Sequence, residues 1–174
     1  MLLTKIAILI LLVIVFVQDM RSRSVYWVLF PCLVFLFVLI KLLEHRPFAD
    51  ALQPTLINLA FLAVQFLVLS VYFSIKNARW VNITAGMVGL GDILFLVAVA
   101  FYVSFLNFLL FYVFSLVGVL LVWLIWQGLS SLKGKHIPLA GLQALFLGLF
   151  LTTDWWISPF NSTSDNWLIS FMTR

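Results

Sequence analysis

Acidic side chains are scarce in this chain, and two of the six stand where chemistry is possible. Asp19 closes a long apolar run, in FVQDMRSRS, and Asp92 opens another, in GMVGLGDILFLV. Two nearby carboxylates cannot both ionise at low cost, so such a pair shares a proton. The ionised partner can then take a proton from water, while the protonated one polarises a carbonyl. That is the machinery for hydrolysing an amide bond. Gly86, Gly89 and Gly91 lead into Asp92. Glycine lets the backbone leave helical geometry, or lets another chain come close. A hydrolase working on a helical substrate needs both, because the helix must unwind before its peptide bond is exposed. The plainer readings are an Asp19 paired with Arg21 or Arg23 in a loop, and an Asp92 favouring a helix N-terminus.

The elements that must position these acids are set by composition. Hydrophobic residues make up 65% of the 174 and charged residues 9%, with a mean hydropathy of +1.21. Soluble domains carry about 25% charged residues. Several runs reach the roughly 20 apolar residues that cross the hydrocarbon layer. Because they are continuous rather than alternating, they predict helices, not barrel strands. Six spans are expected, at 2–18, 25–43, 55–75, 89–105, 107–127 and 138–157. The fourth and fifth must turn tightly, since Ser104 and Asn107 are the only polar residues between them. This gives an all-α membrane domain over 1–157 and a short interfacial tail over 158–174. The first run lacks a small-residue cleavage site and reads as a retained helix, not a signal peptide. The single cysteine, Cys32, excludes an intrachain disulfide and any multi-cysteine metal site. His45 and His136 fall on opposite faces and cannot share a metal, so no metal or cofactor is expected. The ten Lys and Arg are scattered through short loops, which argues against a nucleic-acid partner; the lipid bilayer is the expected surroundings.

Loop charge orients the spans. The first, third and fifth loops hold Arg21, Arg23, Lys76, Arg79, Lys133 and Lys135; the other side holds Lys5, Lys41, Arg46 and Arg174. Glu44, Asp50, Asp154 and Asp165 fall with the four cations. Both termini are therefore expected outside and the odd loops in the cytoplasm. Tryptophans 27, 80, 123, 126, 155 and 156 lie at or near span ends, where amphipathic rings prefer to sit. An odd span's end and an even span's start share a face, so Asp19 and Asp92 both belong at the cytoplasmic boundary.

Three landmarks then resemble a known family. GLGD at 89–92, opening an apolar helix, resembles the Gly-x-Gly-Asp motif of intramembrane aspartyl proteases. DMRSRS at 19–24 resembles the Asp-x-Arg-x-Arg stretch of type IV prepilin peptidases and archaeal preflagellin peptidases. KGKHIP at 133–138 resembles the basic Ile-Pro segment ahead of their last helix. The landmarks occur in family order and cover nearly the whole chain. The resemblance implies a bundle of the Gly-x-Gly-Asp protease type in a bacterial inner membrane. Asp19 and Asp92 would be its catalytic pair, with Gly89, Gly91, Arg21 and Arg23 as supporting motif residues. Its substrates would be type IV pilin-like precursors, cut on the cytoplasmic side between a short basic leader and a hydrophobic helix. Basic loops do not attract a basic leader, so binding would rest on acidic lipid, the carboxylates or the hydrophobic helix.

The chain also departs from that pattern. Leu94 stands where the family usually has lysine. Val25, Tyr26 and Trp27 replace its Ile-Pro-Asn, and Leu139, Ala140 and Gly141 replace its Phe-Gly-Pro. The cysteine-rich insert of many bacterial members is missing, so methyl transfer is not expected. A catalytically inactive scaffold that binds pilin-like helices is one alternative. A small transporter is another, although the spans hold few mid-bilayer polar groups; Gln65 is one, and it reads as interhelical glue.

Overall fold

The computed structural model describes residues 1–44, 48–76, 89–129, 139–157 and 161–173. The side chains of 48–51 fall outside the description. So do Gly86, Arg79, His45, Arg46 and the whole of KGKHIP at 133–138.

Each apolar run forms a helix, the conformation that satisfies its backbone internally. They are α1 (Leu2–Ser22), α2 (Leu29–Leu43), α3 (Phe48–Lys76), α4 (Leu90–Ala100), α5 (Phe105–Leu129) and α6 (Leu139–Thr152). A π-helical turn, Thr153–Ile157, continues α6, and a short α7 (Asn166–Met172) lies in the tail. No strand occurs among the described residues. Four stretches are long and apolar enough to cross a membrane: Leu2–Ser22, Leu52–Lys76, Phe105–Gln127 and Leu139–Ile157. These mark the chain as a membrane protein. The expected spans 25–43 and 89–105 are realised as shorter helices, α2 and α4. At 1.5 Å per residue α4 extends about 16 Å, roughly half the hydrocarbon thickness. Four residues, 101–104, join it to α5.

The core is built from helical stripes. In α1 the buried positions are Thr4, Ile8, Leu12, Val15 and Asp19; in α2 they include Phe30, Leu33, Phe37 and Ile40. Spacings of three and four put each set on one face. In α6 Ala140, Ala144, Leu147 and Leu151 continue the pattern. α1 packs along α6 more extensively than any other pair, and α2 and α4 close around them. A methyl group on Gly118 of α5 would meet the Phe146 ring of α6 at 2.7 Å, so the absence of a side chain lets these helices approach.

α3 lies at the edge of the bundle and packs on α4 and α5. Leu56, Val64, Leu67, Val68 and Ile75 are exposed along it, as lipid-facing residues are. Asn58 and Gln65 of α3 bond to neighbouring elements. Asn58 is fully buried and donates from Nδ2 to the Ala100 and Val103 carbonyls, at 3.2 and 2.9 Å. Ala100 is the last residue of α4 and Val103 lies in the link that follows, so Asn58 satisfies carbonyls where the short helix ends. Gln65 donates from Nε2 to the Tyr112 hydroxyl on α5, which agrees with its reading as interhelical glue.

Candidate active site

Asp19 and Asp92 come together at the start of α6. The Asp19 carboxylate accepts the Gly141 amide at 2.6 Å through Oδ2, and Asp92 accepts the Ala140 amide at 2.8 Å through Oδ1. The two amides are consecutive in the chain. They belong to the first turn of α6, whose N–H groups have no partner within the helix. The positive end of the helix dipole points the same way. One helix N-terminus therefore holds a carboxylate from each of two other helices. The charge of Asp19 reaches the Asp92 carboxylate.

Each acid reaches this point for a local reason. Asp19 is the last member of the buried stripe of α1 and is 7% exposed. The span expected to end at 18 runs one turn further, so Asp19 is a helix residue, not a loop acid. Arg23 adopts a left-handed conformation, φ 53°, and its N–H closes on the Asp19 carbonyl at 2.9 Å. Arg21 and Arg23 are themselves exposed. The Arg23 guanidinium acts on the Asp19 carboxylate through its charge, without a direct ion pair among the described residues.

Asp92 sits in the first turn of α4, behind an extended Gly89 (φ −63°, ψ 135°) that caps the helix. Its carboxylate also draws on the Gly89 backbone amide. This is the reciprocal geometry of a helix-start acid reaching back to its cap. A side chain on Gly89 would place its first carbon 3.0 Å from Asp92 Oδ2. Gly91 is different. It lies inside the helix, and a methyl there would make only an ordinary 3.8 Å contact with Phe30. Of the two glycines, Gly89 is the one that leaves the helix and needs to be small. Leu94 is 37% exposed and lies two residues beyond Asp92, on another side of α4.

Gly141 is a site residue that the sequence did not single out as such. A methyl there would fall 2.9 Å from Asp19 Cβ, 3.0 Å from its Oδ2 and 3.3 Å from the Phe16 carbonyl oxygen. α1 can lie this close to α6 only because position 141 has no side chain. A signal did exist: Leu139-Ala140-Gly141 follows a proline at the start of an apolar run, the ordinary setting of a helix first turn.

Among the described residues no group of three His, Cys, Asp or Glu is assembled as metal ligands. Two adjacent backbone amides hold two carboxylates at one end of the helix bundle. Comparison with known proteins gives no matching family model, no matching curated protein and no matching solved structure.

Proposed function

We propose that the chain is an intramembrane aspartic endopeptidase of the prepilin-peptidase type, with Asp19 and Asp92 as its catalytic pair. The observation that carries this reading is the capture of both carboxylates by adjacent amides of α6. Two acids that merely capped helices would not need to converge on one turn from residues 73 positions apart in the sequence.

In the proposed reaction the pair holds one proton between two carboxylates. The ionised member takes a proton from water as the oxygen attacks the scissile carbonyl, and the protonated member donates to the carbonyl oxygen. Collapse of the tetrahedral intermediate breaks the C–N bond, and the leaving nitrogen receives a proton from the pair. The products are a carboxylic acid on the leader and an amine on the mature chain. The α6 amides orient the carboxylates. α2 and α4 complete six membrane-embedded helices, the site faces the cytoplasm, and the membrane is a bacterial inner membrane. The substrates are pilin-like precursors with a short basic leader ahead of a hydrophobic helix.

Co-expression with a prepilin reporter tests the reading. The unaltered chain removes the leader, and Asp19→Ala or Asp92→Ala abolishes removal at matched membrane levels. Cleavage that persists in both variants would sink the assignment. Binding of the precursor without cleavage, where a family control cuts, would favour the inactive scaffold.

A further inference from the structure

One turn beyond Ala140, on the same face of α6, lies Gln143. Its side chain is fully buried, and it is only partly satisfied. Nε2 reaches the Ser115 hydroxyl of α5 at a long 3.4 Å, and that hydroxyl donates in turn to the Tyr112 carbonyl at 3.1 Å. Gln143 Oε1 has no hydrogen-bond partner among the described residues. An orphaned buried acceptor is costly, and more so in a bundle surrounded by lipid. Asn58, Gln65 and Asn107 carry orphaned acceptors as well, but Gln143 alone of the four lies on α6, one turn from the amides that hold the two carboxylates. Ala140, on the same face, is small and buried in the core.

A peptidase in a membrane has a matching need. Unwinding a substrate helix frees backbone N–H groups where no water can take them. We propose that Gln143 is a substrate-positioning residue whose Oε1 accepts a backbone N–H from the unwound segment on the membrane side of the cut. This rests on the peptidase reading above. The register follows from geometry. Three residues along α6 place Gln143 about 4.5 Å deeper than Ala140, whose amide holds Asp92. An extended chain rises about 3.3 Å per residue. About 4.5 Å is between one and two residues of extended chain, and the first residue's N–H is part of the scissile bond itself, so the N–H in question is that of the second residue beyond the cut. To admit it, α5 and α6 part at the long Ser115–Gln143 contact.

The test uses the full chain in lipid nanodiscs and synthetic precursors in which one backbone amide is replaced by an ester, which removes one N–H. An ester at the second residue past the cut lowers kcat/KM about tenfold, a loss typical of one buried hydrogen bond. An ester at the sixth residue changes it less than twofold. Gln143→Leu lowers kcat/KM about tenfold on the all-amide substrate, and the ester then has no further effect. A merely structural Gln143 would not produce that coupling. If the unaltered chain cuts but ester effects are equal at every position, or add to Gln143→Leu, the Gln143 assignment is overturned and the peptidase reading stands. The ester series on the unaltered chain decides the matter even if Gln143→Leu fails to fold. If nothing is cut, the peptidase reading falls, and the Gln143 assignment falls with it.

Discussion

Two helix N-termini in this molecule gather acids from elsewhere in the chain, and they do so differently. At the end opposite the Asp19–Asp92 pair, α5 begins under Asp165, an acid from the tail. Asp165 Oδ1 accepts the Ser104 hydroxyl at 2.6 Å, the Leu106 amide at 3.2 Å and the Asn107 amide at 3.3 Å. Asn107 Nδ2 holds the Asn161 and Ser164 carbonyls, and Asp154 accepts both the amide and the hydroxyl of Ser162. One acid meets a crowd of donors there. At the start of α6 the supply is thinner: Asp19 and Asp92 take one adjacent α6 amide each, Asp92 draws also on the Gly89 amide, and the charge of Asp19 acts on Asp92. A saturated carboxylate fastens a structure. An under-supplied pair of carboxylates is suited to exchanging a proton.

The strongest way to break this comparison is to neutralise one acid at each end. Asp92→Asn or Asp19→Asn keeps the shape and an acceptor oxygen for the α6 amide but removes the shared proton. Leader cleavage is expected to fall by about a thousandfold or more, on the scale of losing a general acid–base group, while the thermal midpoint in detergent moves little. Asp165→Asn is expected to leave the specific activity of folded protein within about twofold. Equal activity losses at the two ends would erase the distinction.

Gly141→Ala probes the packing beneath the pair. The new methyl would press on Asp19 Cβ and on the Phe16 carbonyl, which is backbone and cannot swing aside. Overpacking of this kind costs about 1–3 kcal/mol. Because α1 must move to relieve it, Asp19 moves off the amide, and activity falls together with stability. Thermal unfolding and reporter cleavage measured on the same preparation check both. Gly91→Ala, with only a 3.8 Å neighbour, is the control and is expected to be mild.

How much of this was legible in the sequence differs between the two ends as well. Asp19 and Asp92 could be placed on one face because span counting is a topological argument and needs no contact. Asp19 could have been placed better still: positions 4, 8, 12, 15 and 19 form one stripe, and the acid occupies the slot where an apolar residue would continue it. The tail's role was not legible. Asp165 pairs with groups 58 to 61 positions away, and the sequence gives it only as one more acid in a polar stretch. The short α4 was likewise hidden. Its apolar run continues through Phe101, Tyr102 and Val103, and the carbonyls freed where the helix ends are taken up by Asn58, reaching across from α3.

Asp165→Ala tests the fastening directly. Removing a helix cap costs about 0.5–2 kcal/mol, and the Ser104 hydroxyl and the two α5 amides lose their shared acceptor. The tail should become sensitive to protease in sealed vesicles before the bundle unfolds. Only the vesicle face that exposes the tail will show it, so the same digestion reports topology. Cutting from the cytoplasmic face would contradict the orientation drawn from loop charge.

The smallest effect is expected where the sequence departs most visibly from the family it resembles. Leu94→Lys restores the usual cation two residues after Asp92. Residues two apart on a helix do not face each other, and Leu94 is 37% exposed on the side away from the α6 amides. A lysine there can extend its amine along the surface of α4 toward the headgroup region without touching the Asp19–Asp92 pair. Cleavage is expected to change by less than about threefold, with the pH profile unmoved. A large gain would mean that the lysine of the family acts on the pair through the substrate, and would place substrate contact on this exposed side of α4. A large loss would show that Leu94 itself packs against the hydrophobic helix being cut.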